Sequence, residues 1–215
     1  MPTSNELSAS FKAKRDDTWS NELRTRIHRA ISWLESAEKY KEDDDICLLA
    51  LCVSLHACYL RKEEDTAPTR ASLKWKKFLE NMKGTREIKK IQSIIFSDGA
   101  TFFKTVTLNK YLHPATYKYD TWEAARIMSE RQSLLQEYIK DRQADKILDE
   151  ILYTINSIRN VLSHGSRTYD SQFNEEGIRE AKKLTFKIVP FMIQVMIENP
   201  DKDWGGLAIP VLGED

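Results

Sequence analysis

The sequence is poor in residues that interrupt helices, with only 7 glycines and 6 prolines among 215 residues. This scarcity favours long helices joined by few turns over many short strands. The chain also lacks an excess of either charge, because 33 lysines and arginines balance 33 aspartates and glutamates. A chain that coats nucleic acid by bulk charge is thereby excluded, and any contact with nucleic acid has to be local.

Cysteine is scarce, and the three that occur, Cys47, Cys52 and Cys58, lie in one apolar segment. Their number is odd and their spacing matches no zinc pattern. We therefore interpret them as buried thiols in a reducing compartment, and we expect no metal and no cofactor.

Long hydrophobic runs are also missing. The longest, residues 46–60, contains Ser54 and His56 and is too short to span a bilayer. Residues 1–14 are polar and lack the apolar core of a signal peptide. These features predict a soluble, cytoplasmic protein with no membrane partner.

Apolar residues recur at spacings of three and four, and they predict an all-α fold. We expect helices over residues 18–40, 46–61, 70–82, 86–96, 122–139, 146–165 and 175–198. They form a single-domain helical bundle over residues 18–198, with a long C-terminal helix that Asn174 caps and Pro190 kinks or splits. Residues 1–17 are expected to be a flexible arm or a short helix, and residues 199–215 an extended tail. Residues 101–108 fit either a strand or a short helix.

The predicted helix over residues 146–165 organises the rest of the sequence, and it ends at Gly165. At about 100° per residue its apolar side chains fall on one face. That face comprises Ile151, Ile155, Ile158, Val161 and Leu162. The opposite face carries Tyr153, Asn156, Arg159, Asn160, Ser163 and His164. Residues 154–163 include no carboxylate, whereas a solvated helix face normally carries Glu and Lys in pairs.

Three other features have two interpretations each. The acids at residues 43–45 either begin a helix, whose dipole they complement, or form a metal site. His56 is either a satisfied core histidine or a ligand. An excess of cations near Trp75 is either an RNA-facing rim or an ordinary solvated face. That excess includes Lys74, Lys76, Lys77 and Arg86.

The run from Arg159 to His164 resembles the Arg-x4-6-His motif of the HEPN superfamily, with Asn160 as the polar residue that often follows the arginine. Residues 29–34 resemble the first long helix of many bacterial HEPN proteins. The buried helix that ends at residues 57–59 resembles their second, although His56 stands where asparagine is expected. The likeness covers residues 21–197, apart from 97–118.

Many HEPN proteins are metal-independent endoribonucleases that act as toxins or defence effectors. The resemblance therefore implies a HEPN-type bundle that cleaves RNA with Arg159 and His164 as catalytic residues. Asn160, Ser163, Asn156 and Tyr153 would support them. Histidine serves as acid or base near neutral pH, and arginine matches phosphate oxygens. The resemblance also implies a homodimer, and an antitoxin or other partner protein.

One motif helix offers a single histidine, whereas separate acid and base groups suit an in-line displacement. The remaining histidines, His28, His56 and His113, lie in segments with no visible connection to the polar face. A two-fold axis brings the same patch from both copies together, so we expect a composite site. Two alternatives stay open: a noncatalytic HEPN-like module that binds a nucleotide, RNA or a protein, and a structural subunit whose polar face is buried in a homodimer.

Overall fold

The computed structural model describes residues 1–62, 71–109, 112, 115 and 119–209, except for the side chains of residues 71–74 and 100. Within these residues every named element is helical, and an isolated antiparallel bridge joins Arg61 to Leu207. The helices are α1 (Ser4–Lys14), α2 (Asn21–Lys39), α3 (Asp44–Tyr59), α4 (Ala71–Met82), α5 (Arg86–Phe102), α6 (Thr121–Lys140), α7 (Ala144–Ser163) and α8 (Glu175–Glu198). The predicted all-α class is confirmed. No described helix combines the length and the apolar character that crossing a membrane requires.

Helix α3 is the centre of the bundle, since it is apolar on nearly all sides and packs against α2, α4, α7 and α8. Its cysteines are free and buried, as predicted. Burial raises the pKa of Cys47 to about 11 and those of Cys52 and Cys58 to about 12. The three thiols therefore stay neutral near pH 7 and serve as small apolar groups.

For the first 17 residues we expected a flexible arm or a short helix, and the structure shows the helix. Thr3 and Glu6 form a capping box that starts α1, and Leu7 and Phe11 on this helix are buried. The helix packs against α2 and α8. Most residues of this stretch are polar, so its two apolar side chains, four residues apart on one helix face, are a weak signal of a packed helix.

The segment that sequence patterns left open continues α5. A π-helical segment, Phe103–Thr107, follows α5 directly and buries Phe103 and Val106. The weak alternation of polar and apolar residues over 101–108 therefore belongs to the end of a helix and not to a strand. The break expected at His113 and Pro114 lies outside the described residues.

Helix α8 has the predicted bounds and runs through Pro190 without splitting. Asn174 precedes it in the left-handed conformation, with φ 58°, and makes no side-chain capping bond. The expected side-chain cap is therefore wrong, although the helix begins where it was predicted.

Part of the expected extended tail packs on the bundle. Trp204 is buried, and its indole Nε1 donates to the Asn199 carbonyl at 2.9 Å. Arg26 of α2 is also buried and joins this tail to the C-terminal end of α3. Its guanidinium donates at 2.8 to 3.2 Å to five carbonyls, those of Ala57, Cys58, Leu60, Gly205 and Gly206. A cation at a helix C-terminus is favoured by the helix dipole.

Candidate active site

Helix α7, the motif helix, is held by its apolar face. The fully buried members of that face are Ile147, Leu148, Ile151, Leu152, Ile155 and Ile158. They pack among α3, α4, α5, α6 and α8. Val161 and Leu162, which we expected on the same face, are only partly buried because the helix emerges from the bundle near its end.

Gly165 ends α7 as predicted. It adopts φ 67°, a conformation that side chains disfavour, and the Ser166 amide donates to the Val161 carbonyl at 3.0 Å. The Gly165 amide donates to the Leu162 carbonyl, which completes a Schellman motif. His164 is thus the C-cap residue, and its side chain is exposed beside that of Ser163.

The polar groups in the N-terminal half of α7 are engaged within the bundle. Asp149 accepts a hydrogen bond from the indole Nε1 of Trp75 at 2.5 Å. Arg131 of α6 forms an ion pair with Glu150 and lies over the ring of Tyr153, 4.3 Å from its centroid. Tyr153, which we expected to support catalysis, therefore has a packing contact that accounts for its position.

Arg159, in the C-terminal half, is partly buried and lies near α3. Burial raises the pKa of Cys52 to about 12 and also raises that of Tyr59, while the positive charge of Arg159 opposes both shifts. Its guanidinium is therefore close to both side chains. Its Nε is buried and has no hydrogen-bond partner among the described residues. A buried donor without a partner is costly, and the Arg159 side chain is only partly buried, so this residue is a candidate for ligand contact.

His56 is connected to the polar face, contrary to our expectation. Its Nε2 lies 3.3 Å from the Asn156 Oδ1, and its ring meets Tyr59 edge-on with centroids 5.3 Å apart. The side chain is half-buried, so it is not a fully enclosed core histidine. The two residues are 100 positions apart, so no local sequence pattern indicates this contact.

The C-terminal half of α7 presents a sequence of polar groups to its accessible side. Asn156 and Asn160 are partly buried, whereas Ser163 and His164 are exposed. At 1.5 Å per residue, Arg159 lies about 4.5 Å along the axis from Asn156, and His164 about 12 Å from it. The residues of the motif are thus spread over roughly two helical turns.

The acidic residues 43–45 cap α3 and hold the segment that follows α7. Asp43 accepts a hydrogen bond from the Ile46 amide at 2.9 Å. Asp45 is buried and accepts one from Arg167 Nε at 3.2 Å. Asp44 pairs with Arg179 and Lys182. Across the described residues, no group of three or more His, Cys, Asp or Glu side chains is arranged to hold a metal ion.

The predicted cationic rim is only partly described. Lys76, Lys77 and Arg86 are exposed, and the side chain of Lys74 lies outside the described residues. Trp75 is 1 % exposed, so it belongs to the core and offers RNA no surface. A groove of about 670 Å³ lies near the start of α7, and its lining includes cationic side chains that we had not connected with this helix. It is lined by Lys83, Lys89, Gln92, Ser93, Phe96, Arg142, Ala144 and Asp145.

Comparisons with protein-family models, with curated proteins and with solved structures give no significant match to this chain. The likeness to the HEPN superfamily therefore depends on the motif of α7 and the order of the helices, and it stays a prediction.

Proposed function

We propose that this chain is an endoribonuclease of HEPN type that cleaves RNA through its own 2′-hydroxyl, with Arg159 and His164 as catalytic residues. The observation that supports it most is the state of Arg159, whose buried Nε has no hydrogen-bond partner among the described residues. A phosphate oxygen is the acceptor that a guanidinium matches best. His164 is exposed at the end of the same helix, and an imidazole can serve as a proton donor or acceptor.

The cleavage reaction requires three functions from the protein. A base removes the proton of the 2′-hydroxyl, whose oxygen then attacks the adjacent phosphorus. Positive charge stabilises the pentavalent phosphate, a role that suits Arg159. An acid gives a proton to the 5′-oxygen as its bond to phosphorus breaks. The products are a 2′,3′-cyclic phosphate and a 5′-hydroxyl end. His164 serves as the acid or the base, while Asn160 and Ser163 donate hydrogen bonds to the phosphate.

The second acid–base group comes, in this proposal, from another copy of the chain. His56 lies beside Asn156, about 12 Å along α7 from His164, so it is not adjacent to His164 on the motif helix. A two-fold axis beside the end of α7 pairs two copies of Arg159 and His164 in one cleft. The accessible face of residues 154–163 has no carboxylate, so opposing copies bring no acidic repulsion.

The first experiment incubates the pure protein with mixed RNA in EDTA and analyses the product ends. We expect cleavage with 2′,3′-cyclic or 3′-phosphate ends. Products with 5′-phosphate ends, or cleavage that depends on added Mg²⁺, contradict this mechanism. RNA that binds without being cut supports the alternative of a noncatalytic module.

Complementation tests the composite site. Inactive Arg159→Ala and inactive His164→Ala proteins are mixed under conditions that exchange subunits. The mixed dimer contains one cleft with an intact arginine and an intact histidine, so partial cleavage is expected to return. A protein that cuts RNA while monomeric at the assay concentration excludes the composite site.

A further inference from the structure

A groove of about 250 Å³ lies between α2 and α3 and is bounded at one side by the C-terminal tail. Its apolar lining comes from Trp33 of α2, Val53 and Ala57 of α3, and Ile209 of the tail. The tail is held there by hydrogen bonds, one of which joins Arg29 Nη1 to the Ile209 carbonyl at 2.8 Å. The groove is therefore built from three segments of the chain, and its volume suits a group the size of one planar ring system.

Trp33 supplies an unusual wall for this groove. The other large apolar residues of α2 are buried, whereas Trp33, which lines the groove, is 43 % exposed. An exposed indole offers a flat surface on which a nucleobase can stack, whichever base it is. The other apolar side chains of α2 already hold it in the bundle, so the Trp33 indole remains accessible to a ligand.

The charge of the groove favours a ligand with phosphates. Arg26 and Arg29 line it, and no aspartate or glutamate does so among the residues that the structure describes. Among the residues that the structure describes, the hydrogen-bond acceptors of Arg26 are carbonyl oxygens, none of which carries a full negative charge. An anion or a chain of phosphodiesters is attracted to such a site.

His56 joins the groove to the accessible face of α7. It lines the groove beside Ala57, and its Nε2 also lies 3.3 Å from Asn156 Oδ1. Asn156 is one turn from Arg159 on the same helix. A strand of RNA whose scissile phosphate lies at Arg159 thus has this groove beside its neighbouring nucleotides.

We infer that the groove is a base-binding subsite, in which one unpaired nucleobase of the RNA stacks on Trp33 while its phosphate lies toward Arg29 and Asn156. The inference rests on the proposed ribonuclease function, and it adds that the protein recognises one unpaired base of the RNA. The polar edge of the base meets His56, so the subsite selects single-stranded RNA and confers a preference among bases.

The test measures binding of four fluorescent single-stranded RNA homo-octamers to the full chain carrying His164→Ala, which prevents cleavage. Adding Trp33→Ala is expected to weaken binding about 5- to 100-fold, the range that loss of one stacked base produces. Trp33→Phe retains an aromatic face and is expected to lose less. Trp122→Ala is the matched control, because Trp122 is 74 % exposed on α6 and lines no part of this groove.

A second variant guards against a folding defect in Trp33→Ala. Ala57→Leu fills the groove while leaving Trp33 in place, and it is expected to weaken binding as Trp33→Ala does. A separate titration with nucleoside monophosphates records tryptophan fluorescence. Quenching in the wild-type chain that disappears in Trp33→Phe locates the base at this side chain without any need for cleavage.

The outcomes separate the subsite from the nuclease. If the chain cuts RNA and neither Trp33→Ala nor Ala57→Leu weakens binding, the subsite is wrong and the nuclease stands. If nucleotides quench Trp33 and no RNA is cut, the subsite stands and the nuclease is wrong. The absence of RNA binding and of nucleotide quenching overturns both. If double-stranded RNA binds as tightly as single-stranded RNA, and if this binding depends on Trp33, the requirement for an unpaired base is wrong.

Discussion

The two halves of α7 use their polar residues differently. In the N-terminal half, Asp149 binds Trp75, and Arg131 contacts both Glu150 and Tyr153. In the C-terminal half, Arg159 has a buried Nε without a partner among the described residues, and His164 is exposed. The polar residues of one half thus contact side chains of α4 and α6, whereas the other half includes an exposed histidine and an arginine whose Nε makes no hydrogen bond to the described residues.

The difference shows how to separate structural from functional polar residues on one helix. Trp75 donates a hydrogen bond to Asp149 and Arg131 pairs with Glu150, so these contacts secure α4 and α6 against the motif helix. A buried guanidinium nitrogen without an acceptor costs free energy, so Arg159 does not add to stability through that atom. Substitutions in the C-terminal half should therefore lower RNA cleavage, whereas substitutions in the N-terminal half should lower the stability of the fold.

The largest expected effect belongs to the C-terminal half. Arg159→Ala and His164→Ala are each expected to lower RNA cleavage by about 10²- to 10⁴-fold, the range typical of a lost acid–base or charge-stabilising group. Both side chains lie outside the apolar face, so the helical content should stay unchanged by circular dichroism. His28→Ala is the matched control, because His28 is an exposed histidine of α2 and does not belong to the polar face of α7.

Two results would contradict this assignment. Cleavage per folded molecule that survives His164→Ala assigns His164 to the helix end alone. Loss of the fold in either variant shows that the C-terminal half is structural, and the difference between the two halves of α7 then disappears.

Substitutions on the apolar face of α7 are expected to lower stability strongly without changing the mechanism of cleavage. Ile155→Ala or Ile158→Ala is expected to lower the free energy of unfolding by about 2–5 kcal/mol, because each side chain is fully buried and leaves a cavity. Denaturant unfolding measures the change. Ile139→Ala, at an exposed position at the end of α6, is the control and should change stability by less than about 0.5 kcal/mol. Equal losses at exposed and buried positions would show that α7 is not packed as described.

Sequence periodicity was sufficient for α7 and α8, whose bounds lie within two residues of the predicted ones. Their apolar spacing and the terminal Gly165 are local signals, which a single helix carries by itself. The contact between His56 and Asn156 depends instead on how α3 and α7 pack. Trp75 looked like part of a cationic surface because its neighbours are lysines, yet helical rotation turns it inward toward Asp149.

The N-terminal half predicts a moderate loss of stability. Trp75→Phe keeps an aromatic ring in the core but removes the indole donor from Asp149. The carboxylate left without its partner is expected to cost about 1–3 kcal/mol of unfolding free energy. Cleavage per folded molecule should not change.

A double-mutant cycle with Asp149→Ala isolates this contact. If Trp75 and Asp149 interact, the double variant should lose less than the sum of the two single losses. Additive losses would mean that the two side chains stabilise the fold independently. A large loss of cleavage in Trp75→Phe would extend the functional region into the N-terminal half of α7.

The smallest expected effect concerns Tyr153, the residue that sequence analysis assigned to the site and whose ring packs against Arg131. Tyr153→Phe and Tyr153→Leu differ chiefly in the aromatic face that they offer to the guanidinium. The Leu variant should therefore be less stable than the Phe variant by about 0.5–1 kcal/mol, the value of a partly exposed cation–π contact. Both should cleave RNA at the wild-type rate per folded molecule, because this contact directs the ring toward α6. A tenfold loss of cleavage in Tyr153→Phe, with stability unchanged, would return Tyr153 to the catalytic set.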